Sequence, residues 1–343
     1  MFNFLSESAL RPKIINCISK YQSLSKSQSL TIGFYHKGNL FVLGDDNSAA
    51  LHYDIGSISK TITAHLILDL IESGRLQLNA KVSDYIPLPN GDYPTIYQLL
   101  THTAGYKNLT PMEITVPALV KYGYARKNIY DGCTRNTVLT CLKRRKRTVA
   151  NAGYSYSDFG YAILAVVAEV VTGQDFSKLI TDFTKSKLGM ENTVISIPKE
   201  NRQPKAILGD KQIDFWRWDN SNPYIAGGGL VSNVSDMLRY ISLEIESNSP
   251  YITKAHKICT ASLSENKNIA TCIGWHTYKK SNQLWHVGGV GTFRSSVIFN
   301  KKRKLGVVVL GNSKGVSSAN VHYLAKMLYS EMKINKIDFN ATQ

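Results

Sequence analysis

Apolar positions change their period several times along the chain, and each change marks an element. Leu5, Leu10, Ile14, Ile15 and Ile18 recur at helical steps and predict an amphipathic helix over residues 4–22. Two short runs rich in β-branched and aromatic residues follow, 30–35 and 40–43. His36-Lys37-Gly38-Asn39 between them predicts a hairpin. Ile62, Leu66 and Leu70 fall four residues apart and predict a second helix, stopped at Gly74. A shorter helix near 95–104 should end in a turn at Gly105. Phe159, Ile163, Val166, Val167 and Val170 give a helix over 158–172 one apolar face, with Asp158 read as its N-cap and Gly173 as its C-cap. Gly227-Gly228-Gly229 leads into a helix near 233–246. The runs 269–278, 284–287, 292–299 and 305–310 read as successive antiparallel strands, and a last helix spans about 317–333. Residues 111–150 hold no sustained period and read as short helices and loops.

The order is helix, hairpin, helical middle, β-meander and closing helix. It predicts an α+β fold: one antiparallel β-sheet flanked by the N- and C-terminal helices, plus an all-helical lobe. The expected division is a sheet domain built from 1–75 and 185–343, and a mostly helical lobe over 76–184. A chain of 343 residues can bury a core of that size.

Composition narrows the function classes. No apolar run approaches the roughly 20 residues of a membrane span. The first twenty residues carry Glu7, Arg11 and Lys13 and lack a signal-peptide core. The chain therefore reads as cytoplasmic as written, or extracellular if a leader has been removed. Cys17, Cys133, Cys141, Cys259 and Cys272 are scattered and without metal-site spacing, so reduced thiols are expected. No cofactor motif and no metal site is expected. Net charge is +16, which brings in anionic polymers, nucleic acid and anionic membranes as partners. The charge is spread out except at 143–147 and 301–304, the latter in a hairpin turn. No nucleic-acid fold signature accompanies it.

The candidate chemistry lies where the second helix begins, at Asp54-Ile55-Gly56-Ser57-Ile58-Ser59-Lys60. A serine at a helix N-terminus has an unpaired backbone N–H and a dipole that favours negative charge. Lys60, three residues on, shares its face at about 5–6 Å between Cβ atoms. An enclosed lysine can lose its charge and accept the serine proton. The same spacing recurs at Ser23/Lys26, Ser196/Lys199 and Ser264/Lys267, but those lack a Gly turn followed by a long apolar helix.

Five stretches in order resemble the serine β-lactamase and penicillin-binding-protein superfamily, in the branch of class C β-lactamases, D,D-peptidases, D-aminopeptidases and β-lactamase-like esterases. They are Ile55–Thr61, Leu99–Gly105, Tyr156–Tyr161, Gly227–Ser232 and His286–Gly289. The resemblance implies a β-lactamase/D,D-peptidase-like fold with Ser57 as nucleophile, Lys60 as its base partner and Tyr156 as proton relay. It places Asp158 where the family usually has Asn, and His286-Val287-Gly288 where β-lactamases have Lys-Thr-Gly. Gly288 would let a substrate strand approach, and the N–H of Gly289 would join that of Ser57 as oxyanion donor. His286 would pair with a substrate carboxylate or with Tyr156, and His102 would hold its own loop. Tyr106-Lys107-Asn108 also matches the family's Tyr-x-Asn, but lies too close to Ser57 in the chain.

The function implied is a serine hydrolase acting through a Ser57 acyl-enzyme on a small ester or amide, such as a D-amino-acid ester or peptide. One alternative is a β-lactamase or D,D-carboxypeptidase acting on penicillin-like or peptidoglycan substrates. A second is a non-catalytic binder of anionic cell-wall polymer.

Overall fold

The computed structural model describes residues 2–25, 29–107, 128–145, 153–197, 207–208, 211–212, 216–257, 259–263, 266–312, 318–334 and 337–339. Its strands are β1 (Asn3–Leu5), β2 (Ser29–His36), β3 (Asn39–Leu43), β4 (His52–Asp54), β5 (Ile207–Leu208), β6 (Lys211–Gln212), β7 (Val231–Asn233), β8 (Cys259–Leu263), β9 (Asn266–Cys272), β10 (His276–Tyr278), β11 (Gln283–Val290), β12 (Phe293–Asn300) and β13 (Leu305–Asn312). Nine of them form one sheet in the order β1-β3-β2-β13-β12-β11-β10-β9-β8. The N-terminal hairpin therefore joins the C-terminal meander through β2 and β13. β4 and β7 form a separate antiparallel ribbon.

Every residue of β13 is buried. Successive side chains of a strand point to opposite faces. Val307 and Val309 accordingly join Ile14, Ile18, Val321, Leu324 and Leu328 of the two terminal helices (Pro12–Ser25 and Ser318–Lys333), while Val308 and Leu310 join the core on the other face. A strand covered on both faces reads as one continuous apolar run, as 305–310 does.

The helix Ser59–Glu72 sits inside this second core. Lys60, Thr61, Thr63 and His65 are buried along with its apolar residues, so it is central and not half-exposed. Asp158–Thr172 and Pro250–Lys257 pack against it. The described part of the middle region is helical: Ile96–Leu100, Arg135–Arg144, Asp158–Thr172 and Phe176–Ser186. Residues 108–127 and 146–152 of the aperiodic stretch lie outside the described residues.

Four expectations need correction. The first helix begins at Pro12, not near residue 4, because proline suits a helix's first turn; Asn3–Leu5 is instead an edge strand, parallel to β3. The run 269–278 is two strands, because Gly274 turns the chain at φ +74° between β9 and β10. The cap of the Asp158–Thr172 helix is Ser157, whose hydroxyl accepts from Gly160 N, which leaves the Asp158 carboxylate free for another partner. Cys272 is disulfide-bonded and not a reduced thiol; its Cα is the register partner of Cys259 across β8 and β9. Cys17, Cys133 and Cys141 are free thiols.

Candidate active site

The turn that carries Ser57 is shaped by backbone contact. β4 ends at Asp54, and Ile55 N donates to Leu230 O at 3.0 Å. Gly56–Ile58 then make one 3-10 turn that runs into the helix. Gly56 has φ +51°, and a Cβ there would sit 2.5 Å from Gly289 N. Left-handed backbone at such close quarters calls for glycine. Across the contact, a Cβ on Gly288 would lie 2.0 Å from Ile55 O. β11 is therefore laid directly on the Ile55–Ser57 turn, and Ser295 Oγ clamps the junction by donating to Ile55 O at 2.8 Å.

Lys60 is fully buried beneath this turn. Three oxygens surround its Nζ: Ser57 Oγ at 3.1 Å, Asp158 Oδ1 at 2.5 Å and Gly227 O at 2.5 Å. An ammonium has three protons to donate, so this shell suits the charged form. The other oxygen of Asp158 accepts from Tyr130 OH at 2.7 Å, and the Tyr130 ring stacks on Tyr224 with centroids 4.1 Å apart. Asp158 opens its helix, where the dipole favours a carboxylate.

Tyr156 lies beside this cluster, half-buried, with its ring centroid 4.8 Å from Lys60 Nζ. Two histidines flank it. The ring of His102 lies 4.5 Å from that of Tyr156, and its Nδ1 accepts from Ser157 N at 3.1 Å. His102 thus holds the Tyr156–Ser157 segment as well as its own loop, and does so with φ +57°. Burial, then the Lys60 charge, push its pKa well below the usual histidine value. The ring of His286 is 6.5 Å from that of Tyr156. Its Nδ1 donates to Val287 O at 2.8 Å. Burial, then His276 and Lys60, keep His286 neutral as well. In this tautomer Nε2 carries a lone pair and no proton.

The fold thus brings Ser57, Lys60, Tyr156, Asp158, His286, Gly288 and Gly289 to one locus. Sequence reasoning missed Tyr130, which lies in the aperiodic 111–150 stretch with no pattern to mark it, and the Gly227 carbonyl, which a side-chain motif cannot show. Tyr106 is buried against Phe159 with rings 5.3 Å apart, and Asn108 is outside the described residues.

A family model described as Beta-lactamase matches residues 21–329. The protein flp of Staphylococcus aureus (strain COL) is 26% identical over 300 residues, covering 82% of this chain and 55% of its own. The chain spans about half the length of that curated relative. Among solved structures, the octameric penicillin-binding protein homologue from Pyrococcus abyssi superposes with a TM-score of 0.78 at 22% identity, covering 96% of this chain and 78% of the other. A class C beta-lactamase superposes with a TM-score of 0.77 at 17% identity, covering 95% and 96%. At these identities the structural likenesses speak for the fold alone.

Proposed function

The chain belongs to the beta-lactamase family, and from that premise we propose that it is a serine hydrolase that forms an acyl-enzyme on Ser57 with a small ester or amide, such as a D-amino-acid ester or peptide. The observation that carries this reading is the 3.1 Å contact of Lys60 Nζ with Ser57 Oγ, directly beneath the junction of Gly56 with Gly289.

Lys60 does not take the serine proton in this arrangement. With a carboxylate and a carbonyl on its remaining sides it acts as a fixed cation that donates to Ser57 Oγ. The base is Tyr156. A phenol with an ordinary pKa near 10 serves in that role when a cation stabilises its phenolate, and Lys60 Nζ is 4.8 Å from the ring centroid. Ser57 Oγ attacks the carbonyl as its proton passes to Tyr156. The N–H groups of Ser57 and Gly289 receive the oxyanion, a stabilisation of about 3–4 kcal/mol per well-aimed donor. Tyr156 then protonates the leaving group, and water repeats the cycle to release the acid.

Two residues steer substrate choice. Asp158 offers acceptors only, so it cannot donate to a substrate amide carbonyl as Asn would. His286, neutral with a bare Nε2, accepts from Tyr156 or a substrate N–H and cannot form an ion pair with a carboxylate. Both features weigh against penicillin-like substrates, whose carboxylate needs a cation. The second reading, a β-lactamase or D,D-carboxypeptidase, is favoured by the match of residues 21–329 to the family model described as Beta-lactamase. Nitrocefin turnover near the enzyme median of about 10 per second would select it. The first reading is tested by incubation with a fluorophosphonate and with D-alanyl esters. Wild type labels and turns over esters, and Ser57→Ala does neither; full ester turnover by Ser57→Ala would overturn it.

A further inference from the structure

The end of the sheet remote from Ser57 carries a cleft. It holds about 650 Å³ and is lined by the β2–β3 turn (Lys37), the β10–β11 turn (Lys280), the β12–β13 turn (Lys302, Arg303) and the end of the last helix (Lys333). Along β11 it is five residues from Gln283 at the cleft to Gly288 at the turn that carries Ser57, about 17 Å at 3.4 Å per residue.

We propose that this cleft binds a small soluble anion that carries two or more adjacent phosphate groups. Lys37, Lys280, Lys302, Arg303 and Lys333 line it and no carboxylate does. Among the described residues none of these five cations has an ion pair, whereas their neighbour Lys304 is held by Glu246 at 2.9 Å and Lys301 by Ser247 O at 2.5 Å. The cations that fasten the fold are thus distinct from those that face the cleft. Five like charges around one concavity repel each other and focus a positive potential into it. An anion with several charges relieves that repulsion and meets donors on three sides.

The walls are fixed before any ligand arrives. Asn300 is buried, and its Nδ2 donates to Ser281 O at 2.9 Å and Asn282 O at 3.1 Å, while its Oδ1 accepts from Arg303 N at 2.9 Å. Lys37 N donates to Lys304 O at 2.9 Å and ties in the third turn. A site whose loops are already ordered loses little entropy on binding. The volume falls within the range of small-molecule sites, about 300–1,000 Å³, and suits a short phosphate chain better than a polymer duplex.

Isothermal titration calorimetry with sodium tripolyphosphate tests the assignment at about 50 and about 300 mM KCl. One-site binding is expected, weakened at least about tenfold by the salt increase and by Lys302→Glu/Arg303→Glu. Lys143→Glu/Arg144→Glu, the same charge change on the exposed end of the Arg135–Arg144 helix, should cost less than about threefold. If the double charge reversal fails to fold, Lys280→Ala on the exposed rim should still weaken binding about threefold. Absence of saturable binding to wild type, equal losses for the two double variants, or binding to phosphatidylglycerol vesicles without binding to tripolyphosphate would overturn the proposal.

Discussion

Two buried ionic clusters hang on one helix, and they are built to different ends. At its start, Lys60 is ringed by Ser57, Asp158 and Gly227, and three of the groups around it (Ser57, Tyr156 and Asp158) are only half-buried. One and a half turns on, Glu244 lies between two histidines, His65 Nδ1 at 3.3 Å and His256 Nε2 at 2.7 Å, and Tyr240 OH bridges to Thr61 at 2.8 Å. Glu244 and His65 are wholly buried. The second cluster ties three helices together with Glu244 and His65 closed to solvent and His256 only slightly exposed. The first uses the same low dielectric but leaves a hydroxyl and a phenol open to solvent. Burial of charge alone therefore does not mark a site; burial with one accessible nucleophilic edge does.

Breaking each cluster should separate stability from chemistry. The largest effect is expected for Lys60→Met, which strands the Asp158 carboxylate. Urea unfolding should show a loss of about 3–5 kcal/mol, and fluorophosphonate labelling should vanish. Lys60→Met/Asp158→Asn should regain most of that stability and none of the labelling. Full labelling by the double variant would show that the cluster is structural, like its neighbour.

The pH dependence of stability comes next. Burial lowers the pKa of His276 to about 4 and of His322 to about 3, and pushes His102 and His286 well down. The unfolded chain binds protons at these sites from about pH 6.5 downward, so each costs about 1.4 kcal/mol per pH unit as pH falls from there. Asp54, three residues before Ser57, has the opposite sign. Burial raises its pKa to about 8. The folded chain keeps that proton while the unfolded chain loses it from about pH 4 upward, so stability falls as pH rises towards 8. Burial also lowers the pKa of His36 and His65 and raises that of Glu169; with six histidines against two carboxyls the histidines dominate below pH 6.5, and above it Asp54 carries the decline towards about 8. Stability should peak near pH 6.5, and Asp54→Asn should flatten the decline above it; urea midpoints from pH 5 to 8 measure both.

Glu244→Gln should cost a smaller amount, about 1–3 kcal/mol, with the rate of Ser57 labelling unchanged. A matching fall in labelling would tie the two clusters into one unit. Among the site variants the smallest effect on catalysis is expected for Asp158→Asn, although it leaves the buried Lys60 without its counter-charge and should cost stability as Lys60→Met does. It restores an amide donor and removes the counter-charge of Lys60, and nitrocefin hydrolysis should rise by about tenfold, or about 1.4 kcal/mol in the barrier. No change would mean that the carboxylate does not limit use of that substrate.

What could be read from the chain follows from the range of the forces involved. β13, with apolar residues at every position, and the 158–172 helix, with its 3.6-residue period and Gly173 at φ +70°, declare themselves locally. So does the Gly56-Ser57 turn, because a serine, a glycine and a helix start lie within four residues. Ser157 and Asp158 are adjacent and either can cap a helix, so only the structure assigns the cap to one and the ion pair to the other. Tyr130 and Glu244 were illegible for a different reason: Asp158 lies 28 residues from Tyr130, His256 lies 12 residues from Glu244 and His65 much further, and nothing in their own neighbourhoods records the meeting. Pro12 was a readable helix start that the apolar residues before it concealed.

The central claim is that Ser57 is acylated because a fixed Lys60 cation and the Tyr156 phenol converge on its hydroxyl. Intact-protein mass spectrometry after mixing with a D-alanyl ester, followed by peptide mapping, tests it most directly. The account predicts a transient mass increase equal to one acyl group, mapped to Ser57, absent in Ser57→Ala and at least about a hundredfold slower to form in Tyr156→Phe. An adduct on another residue, or an undiminished rate in Tyr156→Phe, would contradict it.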